Sequence, residues 1–388
     1  MKRSTDRILT SHAGSLPRPD DLIKAYRGGD RAQIDTTLKR AVADVVSKQV
    51  EVGVDIVNDG EFGKPTTDPL DYGAWTGYIY DRITGFEVRE APTTGPAIMR
   101  RSKDRTLYRE FYESGGAVMY GPGSRPRQRI CVGPIEYTTE GRAFLQRDID
   151  NFKAALQGAQ VADPIMMVLA PPPAPIAIGD YYKSPEEQTE AMARALQVEY
   201  KAITDAGINI QIDDPWLPTI YDFMALESDF AAYRKWAESQ VEAVNRALQG
   251  IPQEKVRYHL CWGSWHGPHS TDVPLKDIID LILKVNAQVY SVEAANVRHE
   301  HEWKVWRDAK LPDGKIVMPG VVSHSTNVLE HPEVVADRIG RYAEAVGREN
   351  VIAGTDCGLG GRIHYQLVWA KLQALAEGAA LASKQLWG

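Results

Sequence analysis

Four residues in the last third of the chain have the chemistry of a metal centre. His259 and Cys261 are two apart in the segment VRYHLCWG, and on a strand residues i and i+2 point to the same side, so both can face one ion. Glu293 follows the next apolar run and Cys357 follows the last one. One imidazole, two thiolates and one carboxylate make a nitrogen- and sulfur-rich set that suits tetrahedral zinc better than magnesium or calcium. A thiol near its ordinary pKa of about 8.5 is mostly protonated at neutral pH, whereas a zinc-bound thiol ionises outright. The expected chemistry is therefore activation of a thiol as a nucleophile. Two thiolates and a carboxylate outweigh the charge of the ion, so a bound sulfur should stay electron-rich, with Glu293 the ligand expected to yield when it arrives. His266, His269 and His364 lie near these residues in sequence but are not read as ligands. The string Arg298-His299-Glu300-His301-Glu302 is read as a solvated helix start.

Such residues need a scaffold that gathers strand ends. Short apolar runs alternate with longer stretches of helical period, the pattern of parallel strands joined by crossover helices. Strands are predicted at 8–13, 55–58, 129–134, 165–170, 209–212, 256–261, 289–292, 316–322 and 351–354, and helices at 33–52, 141–157, 185–206, 229–249, 275–284 and 332–346. Pro185 and Pro332 fall in first turns, which need no amide donor. The strand candidates exceed the eight of a barrel by one, and the run at 129–134 is expected outside it because no crossover helix leads into it. The fold class is α/β, a (β/α)8 TIM barrel. No repeat, low-complexity tract or linker divides it, so residues 1–388 read as one domain. Reactive groups of such barrels sit at the C-terminal strand ends. Glu61, Asp213, His259, Cys261, Glu293, His324 and Cys357 all stand at or just past a predicted strand end.

Residues 84–128 look inserted, with seven arginines and a lysine between Arg100 and Arg129. This basic excursion is either a solvated detour over the barrel or a lid that closes on an anionic substrate. The composition narrows the partners. A formal net charge of −7 lacks the dense positive footprint that phosphate backbones require, so neither nucleic acid nor anionic lipid is expected and small molecules are. No apolar run is long enough to span a membrane and no apolar segment follows the first charges, which reads as cytoplasmic. Three cysteines are too few and scattered for a disulfide framework. Cys131, inside ICVGPI, is expected to be an inert buried thiol.

The pattern H-x-C, a Glu on the following strand and a terminal D-C-G-L is present as His259-Leu260-Cys261, Val292-Glu293 and Asp356-Cys357-Gly358-Leu359. In these residues the chain resembles the C-terminal catalytic barrel of cobalamin-independent methionine synthase and the single-domain zinc thiol alkyltransferases related to it, over nearly its whole length. Shorter blocks agree: Gly14-Ser15-Leu16-Pro17, Gly60-Glu61, and Gln211-Ile212-Asp213-Asp214-Pro215. The resemblance implies that Ser15 holds an amino-acid carboxylate, that Glu61 and Asp213 hold its ammonium, and that His324, in Gly320-Val321-Val322-Ser323-His324-Ser325-Thr326-Asn327, is the catalytic histidine.

Two departures stand out. The family aspartate beside the catalytic histidine is missing, leaving Ser323, and the family turn T-G-P-V-T with its tryptophan is Ala170-Pro171-Pro172-Pro173-Ala174-Pro175 here. The N-terminal barrel of the long methionine synthases is also absent. The implied activity is zinc-dependent methyl transfer to homocysteine or a similar thiol, as in methionine biosynthesis, from a donor left open among folate, corrinoid protein and epoxide. Two alternatives remain. One is alkylation of another thiol, as in epoxyalkane–coenzyme M transferases, with Arg18 or the basic excursion meeting a sulfonate. The other is a non-catalytic zinc- or thiol-binding protein.

Overall fold

The computed structural model describes residues 1–66, 77–90, 102–115, 127–173, 179 and 181–388. Its strands are β1 (Leu9–Thr10), β2 (Ile56–Val57), β3 (Phe86–Glu90), β4 (Arg127–Cys131), β5 (Asp163–Leu169), β6 (Asn209–Asp214), β7 (Val256–Leu260), β8 (Val289–Val292), β9 (Ile316–Val322) and β10 (Ile352–Thr355). Eight of them form one sheet in the order β1-β10-β9-β8-β7-β6-β5-β2, and each paired neighbour is parallel. The two edges meet. Ser11 bridges Ile56 in parallel register, its Oγ donates to the Ile56 carbonyl at 3.1 Å, and the Asp55 N–H reaches the Thr10 carbonyl at 3.2 Å. The sheet thus curls into the expected (β/α)8 barrel, and closure leaves no open edge for another chain to extend.

β4 pairs antiparallel with β3 in a separate ribbon, so the run at 129–134 does stand outside the barrel. Between these strands the described part of the basic excursion holds two short helical turns, Lys103–Leu107 and Arg109–Glu113. Arg100, Arg101 and Arg125 lie outside the described residues, as do Ala174 and Pro175 of the proline-rich turn.

Crossover helices Arg31–Glu51, Thr139–Ala155, Pro185–Asp205, Phe230–Ala247 and Pro332–Val346 begin where a side chain of Asp30, Thr138, Ser184, Asp229 or His331 accepts an N–H of the first turn. Such caps satisfy donors that the helix itself leaves unpaired. The predicted helix at 275–284 is instead a 3₁₀ turn, Leu275–Asp277, and a short α-turn, Ile279–Ile282. Helices Asp20–Gly28, Trp216–Met224 and Tyr365–Trp387 were not predicted. Among the described residues no helix is long and apolar enough to cross a membrane.

Strand alternation sorts the interior into two layers. Ile56, Ile165, Met167, Val289, Ile316, Met318 and Ile352 pack together inside the barrel, while Ile210, Ile212, Val256, Tyr258, Leu260 and Tyr290 join the larger core against the helices. Gln211 and Asp213 on β6, Arg257 and His259 on β7, and Ser291 on β8 therefore share the inward parity. Arg257 is fully buried. Its guanidinium donates to Gln211 Oε1 at 2.5 Å, Ser11 Oγ at 2.8 Å and the His12 carbonyl at 3.0 Å, and burial pulls its pKa down to about 9.

Gly320 on β9 allows β10 to approach closely: a Cβ there would lie 2.2 Å from Asp356 Oδ1 and 2.5 Å from the Asp356 backbone. Gly320→Ala is expected to destabilise the protein by about 1–3 kcal/mol, the usual cost of overpacking. The unfolding midpoint in urea measures this, and an unchanged midpoint would contradict the close packing of these two strands.

Candidate functional site

Several strands deliver a polar side chain to the same end of the barrel. β7 brings His259 and, one residue past its end, Cys261, while the turn after β10 brings Cys357. One ligand atom from each of these three buried residues lies within 4.8 Å of the others. The two sulfurs are 3.6 Å apart, close to the separation of about 3.8 Å that two Zn–S bonds of about 2.3 Å at a tetrahedral angle require. His259 Nδ1 is engaged with Ser291 Oγ at 2.9 Å, whereas its buried Nε2 has no hydrogen-bond partner. A second-layer bond of this kind fixes the ring and leaves the other nitrogen to a metal.

The protonation of the sulfurs points the same way. The hydrogen bond from Cys261, reinforced by the charge of Arg362, holds the Cys357 thiol well below its ordinary range despite burial, and the partner Cys261 is correspondingly pushed up. The pair gives up its first proton readily and resists giving up the second, because two buried thiolates repel. A divalent cation would remove that resistance, so the donor set fits zinc.

Glu293, expected as the fourth ligand, stands just past β8. Its Oε1 accepts the Trp262 N–H at 2.9 Å, and its Oε2 accepts Asn296 Nδ2 at 2.8 Å and Arg298 at 2.9 Å. Its carboxylate clusters with His324 and Asp356 rather than with the three residues above. His324 follows β9 and is buried. Its Nδ1 has no hydrogen-bond partner and lies 4.0 Å from Asp356 Oδ2, and burial lowers its pKa to about 4. Ser323, which stands where the family aspartate is missing, is bonded to Ser325 Oγ at 2.8 Å. The carboxylate facing His324 comes instead from Asp356, on another strand end.

Beside Cys357 lies a narrow cleft lined by Gly14, Ser15, Glu61, Asp213, His259, Cys357 and Arg362 among others. Gly14 and Gly358 let the β1 and β10 loops touch: a Cβ on Gly358 would meet the Ser15 nitrogen at 2.6 Å. Glu61 sits in the left-handed backbone region at φ 61°, a conformation costly for a residue with a side chain and common at functional loops. Its Oε2 pairs with Lys64 at 2.9 Å, while its buried Oε1 has no partner. Asp213 Oδ1 accepts from Gln211 Nε2 at 2.5 Å, and burial followed by repulsion from Glu61 raises its pKa to about 7. Two carboxylates competing for positive charge in a closed space make a cation subsite.

Arg18 is not among the cleft residues. It donates to the Glu61 and Lys64 carbonyls at 2.7 and 3.3 Å, and so braces the loop that carries Glu61. The arginine that lines the cleft is Arg362, five residues past Cys357 and missed in the sequence reading. Its guanidinium also reaches the Gly358 carbonyl at 2.6 Å.

The Arg298–Glu302 string does open a 3₁₀ helix, Glu300–Lys304, with His301 exposed, but it is not a solvated face throughout. His299 and Glu302 are buried. Arg298 spans Glu293 and Asp272, and Asp272 also takes His269 Nδ1 at 3.0 Å and His299 Nε2 at 3.2 Å. The charges turn inward because Glu293, buried, and Asp272, largely shielded in a neighbouring loop, need counter-charges. His269 spends both ring nitrogens, on Asp272 and on the Trp265 carbonyl, in agreement with its reading as a non-ligand. Cys131 is buried as expected, with its thiol raised by desolvation.

The chain is 24% identical over 412 aligned residues to a 2-hydroxypropyl-CoM lyase of Xanthobacter autotrophicus, covering 98% of this chain and 96% of that protein. It is 25% identical to a methionine synthase of Thermococcus kodakarensis, covering 98% and 94%. A B12-independent methionine synthase from Shewanella sp., solved with selenomethionine, superposes with a TM-score of 0.71 at 21% identity over 98% of this chain and 99% of that one, and shares the fold. The family model described as cobalamin-independent synthase, catalytic domain, matches residues 150–380, a span that carries His259, Cys261, Glu293, His324 and Cys357, and the chain belongs to this family.

Proposed function

We propose that the chain is a zinc-dependent thiol alkyltransferase, and that the reaction is methyl transfer to homocysteine or a closely similar thiol. One observation carries the reading: a single cleft is bounded by a carboxylate pair, Glu61 and Asp213, by Ser15, and by two members of the His259, Cys261 and Cys357 set. An amino acid bearing a thiol has the matching groups in the matching order, with an ammonium for the carboxylates and a sulfur for the metal-binding end. Zinc held by His259, Cys261 and Cys357, with Glu293 as the donor that yields, would ionise the bound thiol at neutral pH.

The remaining work falls to the chain itself. Glu61 Oε1, buried without a partner, and Asp213 orient the ammonium, while Ser15 and Arg362 line the cleft where the carboxylate would lie. These contacts aim the sulfur by fixing the other end of the molecule, which is how positioning lowers a barrier. His324 supplies the proton-handling group. Burial leaves the imidazole neutral at rest, so it would take up a proton from solvent, with the Asp356 carboxyl 4.0 Å from its Nδ1 as counter-charge, before passing that proton to the leaving group.

A second reading is favoured by Arg362: a guanidinium in the cleft also suits a sulfonate, and the similar lyase from Xanthobacter carries coenzyme M in its name. In that case the thiol lacks an ammonium and the carboxylate pair is idle.

Purified protein is expected to hold one zinc ion per chain, measured by elemental analysis, and Cys261→Ser/Cys357→Ser is expected to lose it. Full zinc occupancy in that double variant would refute the ligand assignment.

Asp213→Asn separates the two substrate readings. Charge-assisted hydrogen bonds are worth about 1.5–3 kcal/mol, so homocysteine binding should weaken about ten- to a hundredfold. Binding of a thiol without an ammonium should change far less. A wild-type preference for 2-mercaptoethanesulfonate that survives Asp213→Asn and is lost in Arg362→Met would replace homocysteine with the sulfonated thiol.

A further inference from the structure

Glu293 is held by more groups than a metal ligand needs. An ionised carboxylate offers about four lone-pair sites, and three are filled here, by the Trp262 N–H, Asn296 and Arg298. One of those donors carries a full positive charge, and the Glu293 side chain is wholly buried. Arg298 cannot follow the carboxylate if it moves, because its other nitrogen is bonded to Asp272 at 2.5 Å. Asp272 is itself fixed by His269 and His299. The guanidinium is therefore a fixed counter-charge paired with Glu293.

We infer that Arg298 is a positioning residue that competes for the Glu293 carboxylate and makes it an exchangeable donor, receiving it whenever a substrate thiol takes its place. This rests on the zinc and thiol reading above. Without a fixed cation, a buried carboxylate released from its ligand position would be left uncompensated at a large desolvation cost, and exchange would be blocked. With it, Glu293 passes between two favourable partners. Nothing in the spacing of the four candidate ligands indicates this, because Arg298 acts through Glu293 and touches none of the other three.

The sign of the effect separates this role from simple structural support. Arg298→Met should let Glu293 commit to the metal. Zinc affinity, measured by competition with a chromophoric chelator, is expected to rise about ten- to a hundredfold, the worth of one charge-assisted bond. Homocysteine binding to the cobalt-loaded variant, read from the sulfur-to-cobalt charge-transfer band, is expected to weaken by a similar factor, and Arg298→Lys should restore both. A merely structural arginine would give the opposite result, weaker zinc binding on its removal, and that outcome or an unchanged affinity overturns the inference. Should Arg298→Met fail to fold, Asp272→Asn asks the question from the other side. Arg298 then belongs to Glu293 alone, zinc affinity should fall, and a rise or no change overturns the inference. Wild-type protein that takes up no zinc refutes the metal reading itself, whereas zinc-binding wild type with indifferent variants refutes only the role of Arg298.

Discussion

Two cysteine sulfurs held 3.6 Å apart and almost wholly buried set the demand that the rest of this rim answers. Thiols so placed cannot both ionise without a cation, and in a low-dielectric setting the cost of an uncompensated charge is several kcal/mol. Glu61, Asp213, Glu293 and Asp356 are buried at the same end of the barrel, so negative charge accumulates there well beyond what a stable interior would choose. The acidic groups find separate answers: Lys64 for Glu61, Gln211 for Asp213, Arg298 for Glu293, backbone amides of Ala294 and Ala295 for Asp356. The paired sulfurs of Cys261 and Cys357, with the unpartnered Nε2 of His259 beside them, mark where an external cation belongs.

Closure of the barrel is what makes the arrangement affordable. Parallel strands with an alternation of two put every second side chain on the axis, and a closed sheet then points those side chains at one another. The interior below the site is polar in a controlled way. Arg257 donates to Gln211, and Gln211 donates to Asp213, so a guanidinium buried in the barrel floor reaches a cleft carboxylate through an amide that transmits polarity without adding charge. Networks of this sort stiffen a site because each member is satisfied only in one geometry.

The barrel and the metal cluster were legible in the sequence for the same reason: both are written in strand parity. His259 and Cys261 share a face because they are two apart, and the run at 129–134 could be set aside because no crossover helix precedes it. What escaped was written across loops. Arg298 lies in a string of alternating charges that resembles a solvated helix, and only its pairing with Glu293 and Asp272, contributed by different loops, turns it inward. Arg362 follows a glycine pair and no periodic signal distinguishes it. The helix Tyr365–Trp387 was missed because apolar residues also lie off its buried face, Leu367, Trp369, Ala380 and Leu381 among them, which blurs the one-sided stripe by which amphipathic helices are read. Asp356 was noted at a strand end, yet its position opposite His324 depends on the irregular register between β9 and β10, which the sequence does not display.

The basic excursion bears on the site by a route its arginines do not suggest. Its described helical turns dock through Asp104 and Tyr112: Asp104 accepts from the Ser270 N–H at 2.9 Å and hydroxyl at 2.7 Å, and the Tyr112 hydroxyl accepts from Trp265 Nε1 at 3.3 Å while donating to Asp104 at 2.6 Å. These contacts fall on the loop that begins just after Cys261 and ends at Asp272. The same loop is tied at its start by Glu293, through the Trp262 N–H, and at its end by Arg298, through Asp272. Trp265 is folded so tightly over Gly263 and Gly267 that a Cβ on either would collide with its ring, leaving the loop little freedom to rearrange. A segment fixed at three points transmits displacement rather than absorbing it. The excursion thus docks on the loop that follows Cys261 through Asp104 and through Tyr112, over whose ring Arg105 lies.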